Sequence, residues 1–262
     1  MNRIQKAFDE KKKVFIGFVT AGDPNLALTK ELVMAMVEGG AGLIEFGIPF
    51  SDPVAEGEVI QRADLRALAA GTTTDKIFDL VSEVRKETQV PLVFLTYANP
   101  IYAYGAEKFF TRCEASGVDG VIIPDIPYEE REEMRPYSEP HHVALVPLIA
   151  PTSKDRIQKI AKDAQGYVYV VSSLGVTGVR SNITTDIDGI VTEVRKATEL
   201  PVAVGFGIAT PEQAYKMAKA SDGAIVGSAI EKIVEKYGND SPKYVCEYVK
   251  SMADAVALAA MA

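Results

Sequence analysis

The feature that most constrains the fold is a regular alternation of short apolar runs with longer stretches of helical spacing. Eight apolar runs cover residues 14–20, 43–46, 92–97, 120–124, 143–149, 167–171, 202–205 and 224–227. Most are continuously apolar rather than alternating, which is typical of parallel strands that are covered on both faces. The pattern therefore predicts an α/β fold built around a parallel sheet.

Helical patterns follow the apolar runs along the whole chain. They cover residues 27–38, 75–87, 106–116, 129–137, 154–163, 186–198, 211–220 and 229–236, with extra helices at 3–10, 59–70 and 242–257. Eight strand–helix units favour a closed (β/α)8 TIM barrel over an open doubly wound sheet. No linker interrupts the 262 residues, so residues 1–262 are predicted to form a single TIM-barrel domain with additional helices at the N-terminus, after strand 2 and at the C-terminus.

Charge and residue counts exclude several classes of protein. A net charge of −8 argues against binding to nucleic acid or to an anionic membrane surface. The only cysteines, Cys113 and Cys246, lie in helical patterns and predict no disulfide. The only histidines, His141 and His142, are adjacent, so no metal site is predicted. The N-terminal residues contain no apolar run of the kind found in a signal peptide. We therefore expect a cytoplasmic protein.

One carboxylate stands inside an apolar run. In barrels the reactive groups lie at the carboxyl ends of the strands, and Glu45 is near the end of the second run. A carboxylate on a buried strand costs several kcal/mol unless it is paired, hydrogen-bonded or functional. We favour a catalytic role, and the alternative is a structural carboxylate bonded to backbone amides or to a tyrosine.

The loop after Glu45, residues 47–58, is long and rich in proline and glycine. It carries Asp52, Glu56 and Glu58, and residue type alone makes each a candidate for a second carboxylate in the same pocket. The alternative for each of them is a loop charge in water. The loop has the composition of a shaped lid rather than a tight turn.

Two glycine-rich segments follow the last two predicted strands. Gly205-Phe206-Gly207 and Gly227-Ser228 each lead into a helix, where barrels often bind phosphate on backbone N–H groups. The first segment lacks the third small residue of a dinucleotide-binding motif. Residues 172–178, with Gly175 and Gly178, predict a flexible loop that is suited to closing over a ligand.

The predicted strands carry no lysine at their interiors or carboxyl ends, which removes the nucleophile of a Schiff-base aldolase. With no metal site predicted either, the remaining chemistry is general acid–base catalysis on a phosphorylated substrate by carboxylates, with a possible contribution from tyrosine.

Six segments of the chain resemble the tryptophan synthase α subunit family. They are Phe18-Val19-Thr20-Ala21-Gly22-Asp23-Pro24, residues 45–53 from Glu45 to Pro53, Tyr97-Ala98-Asn99-Pro100, Asp125-Ile126-Pro127, Gly175-Val176-Thr177-Gly178 and Gly205-Phe206-Gly207-Ile208. The resemblance implies a barrel that cleaves indole-3-glycerol phosphate to indole and glyceraldehyde 3-phosphate. It also implies a β subunit partner that holds pyridoxal phosphate and receives the indole, and no cofactor in this chain.

The resemblance also assigns roles to residues. Glu45 matches the catalytic glutamate of the family, and Glu56 stands where the family usually has its catalytic aspartate, near the indole N–H. The extra methylene of Glu56 is a departure from the family, and so is Glu58, where a proline is common. The implied substrate-binding residues are Phe18, Leu95, Tyr97, Tyr169, Thr177, Gly178, Gly207, Gly227 and Ser228, of which Gly178, Gly207, Gly227 and Ser228 match phosphate-binding positions.

Other functions remain as alternatives. A catalytically weak, allosteric or binding subunit would keep the phosphate site while Glu56 leaves the lyase slow. A sugar-phosphate isomerase is disfavoured because Thr20 ends the first strand where an acid would be needed. An indole-glycerol-phosphate synthase is disfavoured because it would need a strand lysine.

Overall fold

Strands and helices alternate through the residues that the computed structural model describes, which are 2–172, 186–205 and 207–261. The strands are β1 (Val14–Thr20), β2 (Leu43–Gly47), β3 (Leu92–Leu95), β4 (Gly120–Ile122), β5 (Ala144–Leu145), β6 (Leu148–Ile149), β7 (Val168–Val171), β8 (Val202–Gly205) and β9 (Gly223–Val226). The helices are α1 (Arg3–Lys11), α2 (Leu26–Glu38), α3 (Glu58–Ala69), α4 (Thr74–Arg85), α5 (Ala98–Tyr104), α6 (Ala106–Ser116), α7 (Arg135–Ser138), α8 (Ile157–Lys162), α9 (Ile187–Arg195), α10 (Pro211–Ala220), α11 (Ser228–Tyr237) and α12 (Ser241–Leu258).

The strands form one parallel sheet that closes through a split strand. Their order is β5-β4-β3-β2-β1-β9-β8-β7-β6, so the two outermost strands are consecutive in the chain. The Val146 N–H donates to Val121 O on one side, and the Tyr169 N–H donates to Pro147 O on the other, both at 3.0 Å. The predicted run at 143–149 is therefore one barrel strand in two halves. Pro147 interrupts it because proline has no N–H to donate.

Two concentric apolar layers pack against the sheet. One layer, including Val14, Leu43, Val93 and Ile225, fills the barrel interior, and Ile4 and Phe8 of α1 close its amino end. The larger layer lies between the sheet and the surrounding helices. Alternate residues of a strand point to opposite faces, so Leu43 and Glu45 of β2 point inward while Ile44 points to the helices. The open end of the interior layer is the carboxyl end of the strands.

Local sequence signals place several helix starts. Side-chain oxygens of Asn2, Asn25, Thr73 and Asp186 accept hydrogen bonds from the first turns of α1, α2, α4 and α9. Such a cap contributes about 1 kcal/mol by satisfying a backbone donor that has no partner within the helix. At α10, Thr210 and Gln213 form a reciprocal capping box.

The predicted element boundaries are wrong in three places. The helix predicted at 129–137 is a 3-10 turn, Arg131–Glu133, followed by the short α7, because Pro136 cannot continue a helix from the turn before it. The helix predicted at 154–163 begins as a 3-10 helix at Pro151–Arg156 and becomes regular only in α8. The third strand ends at Leu95, and α5, which the sequence did not reveal, begins at Ala98.

Candidate active site

A cavity of about 500 Å3 opens at the carboxyl ends of the strands. The sequence predicted eleven site residues, and nine of them line it: Phe18, Glu45, Glu56, Leu95, Tyr97, Tyr169, Gly207, Gly227 and Ser228. Thr177 and Gly178 lie outside the described residues, as does the segment predicted to close over a ligand from residue 173 onward. Carboxyl groups and backbone N–H groups thus meet in one apolar pocket, which is the usual arrangement of a ligand site.

Glu45 reaches the cavity from β2 and is held by a tyrosine beneath it. Its side chain is 1% exposed, and the Tyr167 hydroxyl donates to Glu45 Oε1 at 2.7 Å. Burial raises the pKa of Glu45 to about 7, against the opposing effect of the Tyr167 hydrogen bond. Near neutral pH the group can therefore either give or accept a proton.

Sequence reasoning missed Tyr167. The resemblance implied Tyr169 as a substrate-binding residue, and Tyr169 does line the cavity, but the hydroxyl that donates to Glu45 Oε1 belongs to Tyr167. Residues two apart on a strand share a face, so both tyrosines of β7 point into the barrel. That period-two spacing was the available signal. Gly205 on the next strand has no side chain because its Cβ would stand 2.2 Å from the Tyr169 hydroxyl oxygen.

Glu56 reaches the same cavity from the loop between β2 and α3. It is 7% exposed, whereas Asp52 and Glu58 are exposed and do not line the cavity. Gln61 Nε2 donates to the Glu56 backbone oxygen at 2.7 Å, and Tyr97 hydrogen-bonds with the Glu56 side chain. The Tyr97 oxygen also accepts from the Ala55 N–H at 3.1 Å. Of the three loop acids, the geometry therefore places only Glu56 in the pocket.

Two charge effects act on Glu56 and Tyr97. Burial raises the pKa of Glu56, and hydrogen bonds from Asp64 and Tyr97 oppose that shift. Burial and the neighbouring Glu56 carboxyl raise the pKa of Tyr97, so its hydroxyl stays protonated and remains a donor. Asp64 was not among the predicted residues, although it stands in the apolar stripe of α3 with Ile60, Ala63 and Ala67.

The other end of the cavity presents backbone donors. Gly227 is the N-cap residue of α11 and makes no side-chain cap, and this N-terminus lies at the cavity, which Gly227 and Ser228 line. A helix N-terminus with free N–H groups attracts anions. Gly207 has a φ of 80°, a left-handed conformation that glycine adopts without strain. This end has the chemistry of a phosphate site.

Two features are absent from the described residues, 2–172, 186–205 and 207–261. No group of three or more His, Cys, Asp or Glu side chains in this part of the chain could hold a metal ion. None of the helices in these ranges combines the length and apolarity needed to cross a membrane.

The buried carboxyl of Glu45 should make the free energy of unfolding depend on pH. Its pKa is about 7 in the folded chain against 4.5 for an ordinary glutamate. The contribution of protonated Glu45 to the free energy of unfolding is therefore fully present below pH 4.5, and it is lost as pH rises through 7. Glu45→Gln cannot ionise at this position. As pH rises from 5 to 8, we expect its free energy of unfolding to increase by about 2–3 kcal/mol relative to that of the parent chain. Urea denaturation measures this, with the exposed Glu83→Gln as control. A difference that does not change with pH would contradict the raised pKa.

Comparison with known proteins places this geometry in a family. The family model described as "Tryptophan synthase alpha chain" matches residues 4–260. The tryptophan synthase alpha chain of Lacticaseibacillus casei is 48% identical over 256 residues, which cover 98% of this chain and 96% of the relative. The crystal structure of tryptophan synthase alpha chain from Legionella pneumophila has a TM-score of 0.87 at 35% identity and covers 98% of this chain and 97% of its own.

A second solved structure is that of a complex. It comes from work on mutual activation of the tryptophan synthase a2b2 complex from the hyperthermophile Pyrococcus furiosus, with a TM-score of 0.82 at 34% identity over 91% of this chain and 97% of that one. A family match over nearly the whole length and this degree of identity leave one assignment, and the chain belongs to the tryptophan synthase alpha chain family.

Proposed function

We propose that Glu45 and Glu56 are the acid–base groups with which this tryptophan synthase alpha chain cleaves indole-3-glycerol phosphate to indole and glyceraldehyde 3-phosphate. One observation carries the assignment of residues. Two buried carboxyl groups from separate elements line the same apolar cavity whose far end presents the open N-terminus of α11. Apolar walls, two carboxyl groups and a helix N-terminus in one cavity suit a substrate with an aromatic ring and a phosphate.

The reaction needs an electron sink, because a carbon–carbon bond breaks. The described residues that line the cavity include no lysine, so a Schiff base is not the sink, and the indole ring itself can serve. A proton added at C3 gives the indolenine, with positive charge developing at N1. A base then removes the proton of the side-chain hydroxyl, the bond from C3 to the side chain breaks, and its electron pair restores the indole ring. The products are indole and the aldehyde.

The two carboxyl groups divide this work. Glu45, with a pKa of about 7, delivers the proton to C3 and acts on the hydroxyl of the glycerol chain. Glu56, as a carboxylate, stabilises the charge that develops at N1. Its side chain is one methylene longer than aspartate, and the loop from 47 to 57 allows the backbone to lie farther from the ring.

The phosphate is bound at the end of the cavity that presents Gly207, Gly227 and Ser228. The N–H groups that begin α11 donate to the phosphate oxygens, and the helix dipole favours their charge. Thr177 and Gly178, in the sequence segment that follows β7, complete the proposed binding set. Phe18, Leu95 and Tyr169 form apolar walls against the substrate.

The proposed partner is a β subunit, as in the a2b2 complex from Pyrococcus furiosus. The segment at residues 53–57 is the proposed contact, since Val54 is 71% exposed beside the buried Glu56. Pyridoxal phosphate belongs to that partner in this proposal, and this chain supplies indole to it. The single domain over residues 1–262 and the cytoplasmic location stay predictions from the sequence.

A series of loop variants tests the assignment of Glu56. We expect Glu56→Asp to retain turnover of indole-3-glycerol phosphate, because the carboxylate remains, and Glu56→Gln to lose about 100-fold. Indole release by the isolated chain, with and without a β subunit, is the measurement. Asp52→Asn and Glu58→Gln are the matched controls, since both side chains are exposed outside the cavity.

The outcomes separate the proposal from its alternative. Normal turnover in Glu56→Gln together with loss in either control would identify a different loop acid. Undetectable indole release by the parent chain, even with a cognate β subunit present, would favour the catalytically weak binding subunit. Full activity alone and no response to a β subunit would contradict the proposed contact at residues 53–57.

A further inference from the structure

A second buried carboxyl group lies directly behind Glu56. Asp64 is 3% exposed on α3, and its side chain forms a hydrogen bond with the side chain of Glu56. The Phe50 N–H also donates to the Asp64 carboxyl. Asp64 therefore contacts the active-site loop at two places, close to its beginning at Phe50 and close to its end at Glu56.

Each member of this pair has an oxygen without a donor. Among the described residues, buried Oε2 of Glu56 and buried Oδ2 of Asp64 have no hydrogen-bond partner. Two ionised carboxylates in contact would repel each other and leave both oxygens without a donor, at a cost of several kcal/mol. One proton held between the two groups removes the repulsion and supplies a donor that two carboxylates lack.

The surrounding charges decide which group keeps the proton. Glu231 of α11 faces Asp64 from the other side and is fully buried, and Tyr97 faces Glu56. Both cations of α3 are engaged by other acids: Arg66 binds Asp23 in bidentate fashion at 2.7 and 2.8 Å, and Arg62 binds Glu235 at 2.7 and 3.0 Å. No cation among the described residues therefore offsets a charge on Asp64.

The same surroundings favour charge on Glu56. It is the most exposed of the three acids Glu56, Asp64 and Glu231, and it borders the cavity. Burial and the Glu56 carboxyl raise the pKa of Asp64 to about 10. Both considerations leave the proton on Asp64.

We propose that Asp64 is a positioning residue that remains a neutral acid and donates its proton to Glu56, so that Glu56 faces the substrate as a fixed carboxylate. The proposal rests on the role proposed above for Glu56. Asp64 does not touch the substrate, since it is absent from the cavity wall among the described residues. It acts by holding the longer side chain of Glu56 in one place, with Tyr97 as the second donor.

Three variants test this role in the full chain, with indole-3-glycerol phosphate as substrate. An asparagine can replace a neutral acid, because its amide still donates to Glu56 and its carbonyl still accepts from Phe50 N–H. We therefore expect Asp64→Asn to keep kcat within about threefold of the parent chain. Asp64→Ala leaves Glu56 without that donor, and a displacement of about 1 Å can cost up to 100-fold in kcat. The control is Leu65→Ala, the next residue on α3, which is 61% exposed.

Comparing kcat with the Kd for glycerol 3-phosphate separates a positioning role from general damage to the fold. Asp64→Ala should lower kcat while the Kd for glycerol 3-phosphate stays within about twofold, because the phosphate end is left intact. Asp64→Ala in a Glu56→Gln background should cause no further loss, since Asp64 acts through Glu56. Equal losses in Asp64→Asn and Asp64→Ala, or independent losses in the double variant, would overturn the proposal.

The dependence of kcat on pH provides a second test, which does not require the alanine variant. Parent-chain kcat should fall above pH 7 as Glu45 ionises, and fall further as pH rises towards 10, where the shared proton is lost and both carboxyls of the pair carry charge. Asp64→Asn has no such proton, so its kcat relative to the parent chain should rise above about pH 9. A ratio that is constant with pH would overturn the role of Asp64. Normal turnover in Glu56→Gln would instead overturn the proposed function of Glu56, which is a separate result.

Discussion

Replacing Glu45 with glutamine should lower kcat for indole release from indole-3-glycerol phosphate by about 10²- to 10⁴-fold. The amide has nearly the same shape and still accepts the hydrogen bond from the Tyr167 hydroxyl, which the parent chain makes at 2.7 Å. It cannot deliver a proton to indole C3 or accept one from the side-chain hydroxyl. Steady-state kinetics of the purified chain, with and without a β subunit, measure the effect.

Binding separates this loss from a change in the fold. The Kd of Glu45→Gln for glycerol 3-phosphate should match that of the parent chain, because the phosphate end of the cavity does not include residue 45. Glu83→Gln, an exposed glutamate on α4, is the matched control and should keep full turnover. Parent-level turnover in Glu45→Gln would remove Glu45 from the mechanism.

Replacing Gly227 with aspartate should raise the Kd for glycerol 3-phosphate by about 100-fold or more. Like charges about 4 Å apart repel by about 4 kcal/mol at an effective dielectric of about 20, and the phosphate carries up to two charges. A Cβ at residue 227 would also stand 3.0 Å from Cδ1 of Phe18, so the ring must shift. Isothermal titration of the full chain with glycerol 3-phosphate measures the change.

Asparagine at the same position isolates the charge. Gly227→Asn adds nearly the same volume as Gly227→Asp, so the difference in Kd between the two variants reports repulsion alone. We expect the Kd of Gly227→Asn for glycerol 3-phosphate to be lower than that of Gly227→Asp by about 10-fold or more. An unchanged Kd in both variants would place the phosphate elsewhere in the cavity.

The barrel was predictable because its evidence is repeated along the chain. Each of the eight apolar runs predicts a buried strand independently, and an error at one boundary leaves the other seven in place. Two of the differences fall where a single proline competes with the pattern. Pro136 breaks the helix predicted at 129–137, and Pro147 splits the strand predicted at 143–149. In the second case each half of the strand pairs with a different neighbour, which no local signal reveals.

Within the site, the sequence alone determined which residue types stand at the carboxyl ends of the strands. Glu45 was recognisable as a carboxylate in an apolar run, and the resemblance selected Glu56 among three loop acids. Position along a strand implies a position at the rim of the barrel, because all parallel strands end on the same side. This is why nine predicted residues line one cavity.

Only the tertiary structure decided which of these groups touch one another. Tyr167 and Glu45 are 122 positions apart in the chain and share a hydrogen bond, while Glu56 and Asp64 come together because α3 packs its stripe of buried residues under the loop. Burial and contact with another charge set the pKa of a carboxyl group, and both are properties of the packed molecule. The sequence therefore determined the barrel and the chemistry at its rim, and the packing determined which acid holds the proton.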